Sequence, residues 1–391
     1  MKHASAVLFS ILFLFLYGCG KDSNYGPETP KSGPAELTAD SVHTLAVNNF
    51  SVMVDRRGRL QFGAWMNNGK NYFVISLAGL WIGMNQNGTP RGDITWAGAI
   101  PYSNYTSMIN GKELGVYYLE PGASYDASNW PADYGAPVTS SGDPKVYGDG
   151  MCWSVLTSDS ALTSVPIFSG PVKNIRIAQA VYAYNSTSLR NIIFVRYQIT
   201  NTGSSSMSGV YIGFYSDTDL GEAVTNRTGY DPDRGLTYTY QDSVNSTGYS
   251  LATGFAFLQT PGNIGVTSHR IMRKNNYINP DFGEYDFSTQ QQILYALQGL
   301  SNSGQPMVNP VTGQQTLFAF TGDPVTQTGW LDTKTDVRSM ISSGPVTIVP
   351  NETVTYTIAW AVDDGADLYE AISKLKSNID FVRADKSLWG F

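Results

Sequence analysis

The feature that most restricts what this chain can fold into is its recurring strand pattern. Asn191 to Asn201 reads Asn-Ile-Ile-Phe-Val-Arg-Tyr-Gln-Ile-Thr-Asn, β-branched and aromatic residues that suit a pleated surface. Thr202-Gly203-Ser204-Ser205-Ser206 follows as a turn, and Ser208 to Ser216 reads as a return strand, so a hairpin is expected here. Earlier, Phe50-Ser51-Val52-Met53-Val54 alternates, Arg57-Gly58-Arg59 turns, and Leu60-Gln61-Phe62 starts back. Ser76 to Gly83 is apolar on both faces and predicts a central strand. Asn85-Gln86-Asn87-Gly88 predicts a hairpin turn, since Asn-Gly tolerates positive φ. Thr353 to Val362, preceded by the turn Pro350-Asn351-Glu352, repeats the pattern late in the chain. No repeat of fixed period occurs, which disfavours propellers and solenoids. The expected class is mainly β, an antiparallel β-sandwich, large or double, with long loops over residues 98–150.

Two helices interrupt the strands. Ser288-Thr289-Gln290-Gln291 resembles a capping box ahead of Ile293, Leu294 and Leu297, with Gly299 as the stop. Asp367 caps a second helix carrying Leu368, Ile372, Leu375, Ile379 and Val382 at spacings of four, three, four and three. Such a stripe predicts a C-terminal amphipathic helix packed on a sheet.

Of the 391 residues only 15% are charged, well below the usual quarter. Tyrosines, 24 of them, and uncharged polar residues stand in for charge, as in secreted β proteins. The formal net charge of -7 without basic runs argues against nucleic acid and against electrostatic binding to anionic lipid.

The first twenty residues carry an address. Lys2 precedes an apolar run from Ala6 to Tyr17, and Leu16-Tyr17-Gly18-Cys19 ends it. This is the form of a signal peptide, and its end resembles a bacterial lipobox, in which the cysteine is acylated. Residues 1–18 are then the signal, Cys19 the lipidation site and residues 19–42 a flexible tether rich in Gly, Pro and Ser. Each buried acyl methylene contributes about 0.8 kcal/mol, so several chains hold a soluble domain on a membrane. Gly20 stands where an Asp would, by resemblance to Gram-negative sorting, retain the protein at the inner membrane. An outer-membrane lipoprotein is expected, facing the periplasm or the cell surface. Residues 43–391 form the β-sandwich region, as one unit or two packed subdomains.

With Cys19 lipidated, Cys152 has no partner and no disulfide is expected. Met151-Cys152-Trp153-Ser154-Val155-Leu156 reads as a strand, which makes Cys152 a core thiol. His43 and His269 are the only histidines past the signal, neither in a catalytic context. No nucleophile elbow, P-loop, His-Glu-x-x-His or Cys-x-x-Cys occurs.

Asp217-Thr218-Asp219-Leu220-Gly221-Glu222 follows a strand, with Asp231-Pro232-Asp233-Arg234-Gly235 shortly after. Carboxylates two apart in a glycine-bearing loop can turn hard oxygens toward one point. Asp217, Asp219, Glu222, Asp231 and Asp233 are therefore candidate ligands for calcium. The competing reading is turn chemistry, the carboxylates accepting backbone N–H bonds, with Arg227 and Arg234 as counter-charges. Asp332 or Asp336 is expected to pair with Arg338 and order a loop. Trp81, Trp96, Trp130, Trp153 and Trp330, with many Asp residues, would permit a sugar site, but aromatics in β proteins are more often core.

Trp130-Pro131-Ala132-Asp133-Tyr134-Gly135-Ala136-Pro137, Tyr215-Ser216-Asp217-Thr218-Asp219-Leu220-Gly221, Gly322-Asp323-Pro324 with Gly329-Trp330-Leu331-Asp332, and Ser342-Ser343-Gly344-Pro345 come in a telling order. From about residue 45 to 385 the chain resembles large secreted β proteins of Bacteroidetes–Ignavibacteria-type bacteria. Many of these end in a sorting domain of the type IX secretion system, whereas this chain ends at Trp389-Gly390-Phe391. The resemblance implies a cell-surface or extracellular β protein and gives no activity to carry over. The expected role is a non-catalytic binding or structural module of the cell envelope. Its partners would be the membrane, through the lipid, and a glycan or a cell-surface protein; calcium is the candidate ion. The alternative is a carbohydrate-active enzyme of glycoside hydrolase type, which needs two carboxyls facing across a sugar.

Overall fold

The structure, a computed structural model, describes residues 39–94, 105–109, 111–158, 170–221, 223–241, 250–273, 287, 289–333 and 336–390. Cys19, Trp96 and Glu222 lie outside the described residues. In chain order the first strands are β1 (Ala39–Asp40), β2 (Val42–Leu45), β3 (Phe50–Asp55), β4 (Leu60–Asn67), β5 (Lys70–Gln86), β6 (Thr89–Ile94), β7 (Met108–Ile109), β8 (Lys112–Glu113), β9 (Val116–Leu119) and β10 (Gly150–Thr157). Next come β11 (Ile175–Ala183), β12 (Ile192–Asn201), β13 (Met207–Thr218), β14 (Asn226–Asp231), β15 (Leu236–Gln241), β16 (Ser250–Gln259) and β17 (Ser268–Arg273). Helix α1 (Gln290–Leu297) precedes β18 (Met307–Val308), β19 (Gln315–Thr316), β20 (Val337–Ile348), β21 (Thr353–Gly365) and helix α2 (Leu368–Ala384).

Two antiparallel sheets face each other. One has nine strands in the order β1-β9-β10-β11-β12-β21-β16-β15-β14. The other has eight, β17-β20-β13-β5-β4-β3-β2 with β6 paired to β5. Period-two alternation fills the space between them: Phe50, Val52 and Val54 from one sheet meet Val195, Tyr197, Phe255 and Trp360 from the other, all buried. The expected mainly-β sandwich is therefore the observed one. The strands of the two sheets interleave along the chain and share this core.

The outer faces are apolar too, and each is covered. Helix α2 lies across β21, β16 and β15. It buries Ala371, Ile372, Leu375, Ile379 and Val382, as the stripe predicts. Helix α1 covers the other sheet, Ile293, Ala296 and Leu297 packing on Trp81, Tyr215 and Met340. It sits close because Gly83 and Gly213 lie beneath it: a Cβ at either position would come within 2.7 Å of Leu297. Its cap falls one residue later than the sequence suggests. Thr289 accepts from Gln292 N while the Gln292 side chain accepts from Thr289 N, a complete capping box.

Most predicted turns stand. Asn87 and Gly88, at φ 53° and 78°, join β5 to β6. The expected hairpin of residues 191–216 does not form. β12 and β13 lie in different sheets, and residues 202–206 arch between them. Both strands are apolar on two faces, so each is worth more at the centre of its own sheet, where it pairs on both sides. The turn before β21 is a second such arch, from β20. The two arches lock together: Asn351 N donates to Asn201 O at 2.9 Å, Asn201 N to Glu352 O at 3.0 Å, and Asn201 Nδ2 to Ile348 O at 2.9 Å.

Candidate functional site: an acidic strand end and a polar cleft

β13 ends in Ser216-Asp217-Thr218, beside the start of β20. Register places Asp217 opposite Arg338. Carboxylate oxygens of Asp217, Asp219 and Asp336 come within 4.8 Å of one another. Asp217 is buried, Asp219 and Asp336 half-buried. Arg338, itself 6% exposed, reaches Asp217 Oδ1 through Nε and Oδ2 through Nη2, both at 3.1 Å. It also pairs with Asp336. The expected loop-ordering pair is thus formed by Asp336. Asp332 instead accepts from Thr228 N at 2.9 Å. Three hard oxygen donors at this spacing could hold a metal ion, and Arg338 already supplies a positive charge to two of them.

The structure does not bring Asp231 and Asp233 to this group. Asp231 ends β14, at the edge of the other sheet. Its Oδ1 accepts from Asp233 N (3.1 Å) and Arg234 N (3.3 Å), and its Oδ2 pairs with Arg234 Nη1 at 2.9 Å. This is the turn chemistry that competed with calcium, with Arg234 as the expected counter-charge. Arg234 also grips Asp380 of α2 through Nη2 at 2.8 Å, and Lys376 of α2 lies 3.4 Å from Asp231. The second acidic motif is therefore the receptor of the C-terminal helix. Sequence spacing puts four carboxylates close together along the chain; the two sheets pull them apart.

Most of the remaining candidates are core residues. Cys152 is fully buried on β10, and burial pushes its thiol well above the usual range. His269 is sealed as well. Its Nδ1 donates to Ala319 O at 2.9 Å, which leaves Nε2 to accept from Thr237 Oγ1 at 2.9 Å. Burial pushes its pKa down to about 4, so it stays neutral. His43 stacks on Tyr118 at 4.3 Å. Trp81, Trp130 and Trp153 are buried, and Trp330 packs on Phe320 at 5.2 Å.

A site that the sequence does not announce lies at one end of the sandwich. A cleft of about 320 Å³ opens where β4 and the loop before β12 meet the end of β21 and the first turns of α2. Asn67, Arg190, Asn191, Asp363, Asp364 and Lys374 line it. Asn67 Nδ2 donates to Asp364 Oδ2 at 2.7 Å, and Asn378 Nδ2 to Asp363 Oδ2 at 2.9 Å. Burial raises the Asp363 carboxyl above its ordinary value, partly offset by donation from Asp364 N. The signal was faint: these residues mark strand ends in the sequence, and only folding gathers them from four elements.

No family model matches the chain, and no curated protein matches it. Among solved structures it is similar to an Escherichia coli K12 protein named "putative aldose 1-epimerase", at 11% identity and a TM-score of 0.35, covering 84% of this chain and 99% of that one. It is also similar to the Slr1438 protein of Synechocystis sp. PCC 6803, at 9% identity and a TM-score of 0.32, covering 87% and 99%. A "putative kojibiose phosphorylase" from the human microbiome gives 7% identity and a TM-score of 0.33, covering 89% of this chain and 37% of that one. Likeness at this level carries nothing about what this chain does.

Proposed function

We propose that this chain is a lipid-tethered module of the cell envelope, held on the outer membrane through Cys19, that binds a surface ligand without turning it over. The observation that supports a non-catalytic role is the fate of one histidine and one cysteine, side chain types suited to chemistry near neutral pH. His269 and Cys152 are both sealed in the core, the one held neutral and the other held protonated. The lipobox-like Leu16-Tyr17-Gly18-Cys19 supports the tether. Among the described residues no helix is long and apolar enough to cross a membrane.

The test is fractionation. Cys19→Ser is expected to release the protein from the membrane fraction or block its processing. A variant that still sediments with membranes and is cleaved at the same bond overturns the lipid anchor.

Within this reading, calcium would sit at Asp217, Asp219 and Asp336, sharing the first and last of these carboxylates with Arg338. A ligand at a hundred times its Kd stabilises by about 2.7 kcal/mol, so calcium is expected to raise the thermal midpoint by a few degrees and EDTA to remove the gain. Asp219→Ala should abolish the difference. Equal midpoints, in protein that elemental analysis finds metal-free, would leave Arg338 as the counter-charge and take calcium out of the reading.

A further inference from the structure

We propose that the cleft between β4, the loop before β12 and the end of β21 is a binding site for a neutral sugar. The proposal deepens the reading of this chain as a binding module by naming a site and a ligand class. The cleft's size, about 320 Å³, is at the lower end of small-molecule sites. That suits a single sugar ring better than an extended chain.

Its walls are fixed before any ligand arrives. Asn48 Nδ2 lies 3.1 Å from Tyr184 O, 3.1 Å from Leu189 O and 2.9 Å from Ile192 O, which fastens the loop before β12 to the opposite sheet. Asn49 N donates to Arg190 O, and Val362 N to Asn191 O. The Asn191 Oδ1 accepts from Trp65 Nε1 at 3.0 Å and from Asn49 Nδ2 at 3.3 Å. Preorganisation of this kind lowers the entropic cost of binding.

Each fixed amide keeps its other end for a ligand. Asn191 has its Oδ1 engaged and its Nδ2 left as a donor. Asn67 has its Nδ2 engaged on Asp364 and its Oδ1 left as an acceptor. Asp364 has a second oxygen to accept with, and the exposed Arg190 guanidinium has no side-chain partner among the described residues. Donors and acceptors thus line one small space together. Vicinal hydroxyls, each able to donate and accept at once, match such a lining. An apolar ligand would leave these groups unpaired. With two acids, Asp363 and Asp364, against two bases, Arg190 and Lys374, the lining carries no net sign that would draw in a simple anion or cation.

Methyl glycosides of glucose, galactose and mannose, titrated into the full-length protein by ligand-observed NMR, are the probes. At least one is expected to bind saturably in the millimolar range. Arg190→Ala and Asp364→Ala are each expected to weaken it about tenfold, the loss of one charged hydrogen bond. Arg190 is exposed, so its variant should melt like the parent and remain interpretable whatever Asp364→Ala does to stability. Saturable binding of none of the three by cooperatively melting protein overturns the proposal. Binding that both variants retain overturns this cleft as the site and leaves the binding-module reading standing. Tighter binding of glucuronate than of the glucoside overturns the neutral class. Release of methanol from a bound glycoside supports the cleft and overturns the non-catalytic reading instead.

Discussion

Leu375→Ala is expected to lower the stability of this chain by about 2–5 kcal/mol, the cost of emptying a well-packed leucine site. Leu375 is fully buried at the middle of α2, among Ala359, Ala361 and Tyr238 of the sheet below. Its neighbours in the stripe, Ile372 and Ile379, are equally buried, so the helix cannot slide to refill the space. The helix is also pinned at its flanks by Arg234–Asp380 and by Arg383 Nη2 donating to Arg234 O at 2.7 Å. Both keep the cavity open. Equilibrium urea unfolding measures the loss. Phe381→Ala, on the exposed side of the same helix at 48% exposure, is the control and should shift stability by less than about 0.5 kcal/mol. Equal curves for Leu375→Ala and the parent would mean that α2 does not bear on the sheet.

Arg338→Met is the second large effect. Arg338 and Asp217 are each 6% exposed and joined by two contacts of 3.1 Å. Removing one partner of a buried ion pair leaves the other charged and dry, which costs about 3–5 kcal/mol. Asp217→Asn in the same background should restore part of that loss, because it removes the stranded charge. A double-mutant cycle on urea midpoints reads the coupling, expected at about 0.5–3 kcal/mol for residues in contact. Strictly additive single-mutant effects would place Arg338 and Asp217 outside any shared interaction.

What could be read in the sequence depended on the range of the physics involved. The period of an element is local, so β3, β5, β12 and the stripe of α2 were all legible. Asn87-Gly88 was legible because positive φ selects few residues. Which sheet a strand joins is not local. β12 and β13 carry the same kind of residues and a good turn between them, yet they part. Pairing with β21 and β5, far off in sequence, outweighs pairing with each other. The same non-locality broke up the acidic group. Asp217 and Asp219 stayed together because only Thr218, the last residue of β13, separates them, and Asp336 joined through the register of β20 with β13 rather than through spacing. Asp231 was lost to α2, whose Lys376 and Asp380 lie some 150 residues further on, roughly as far as a whole average domain. The cleft at Asp363 was invisible for the same reason, since its walls meet only when both sheets are closed.

The position of β21 has a consequence for how the chain comes to be made. It is the last strand, ending at Gly365, and it sits between β12 and β16 in the nine-stranded sheet. Without it that sheet is two separate pieces, one of five strands and one of three. A ribosome delivers the N-terminal part first, so for most of synthesis the chain holds two half-sheets with open edges and no keystone. Native pairing must wait until nearly the whole polypeptide has emerged. Under the envelope location proposed above that delay is useful: a chain that cannot close early stays open to being threaded across a membrane.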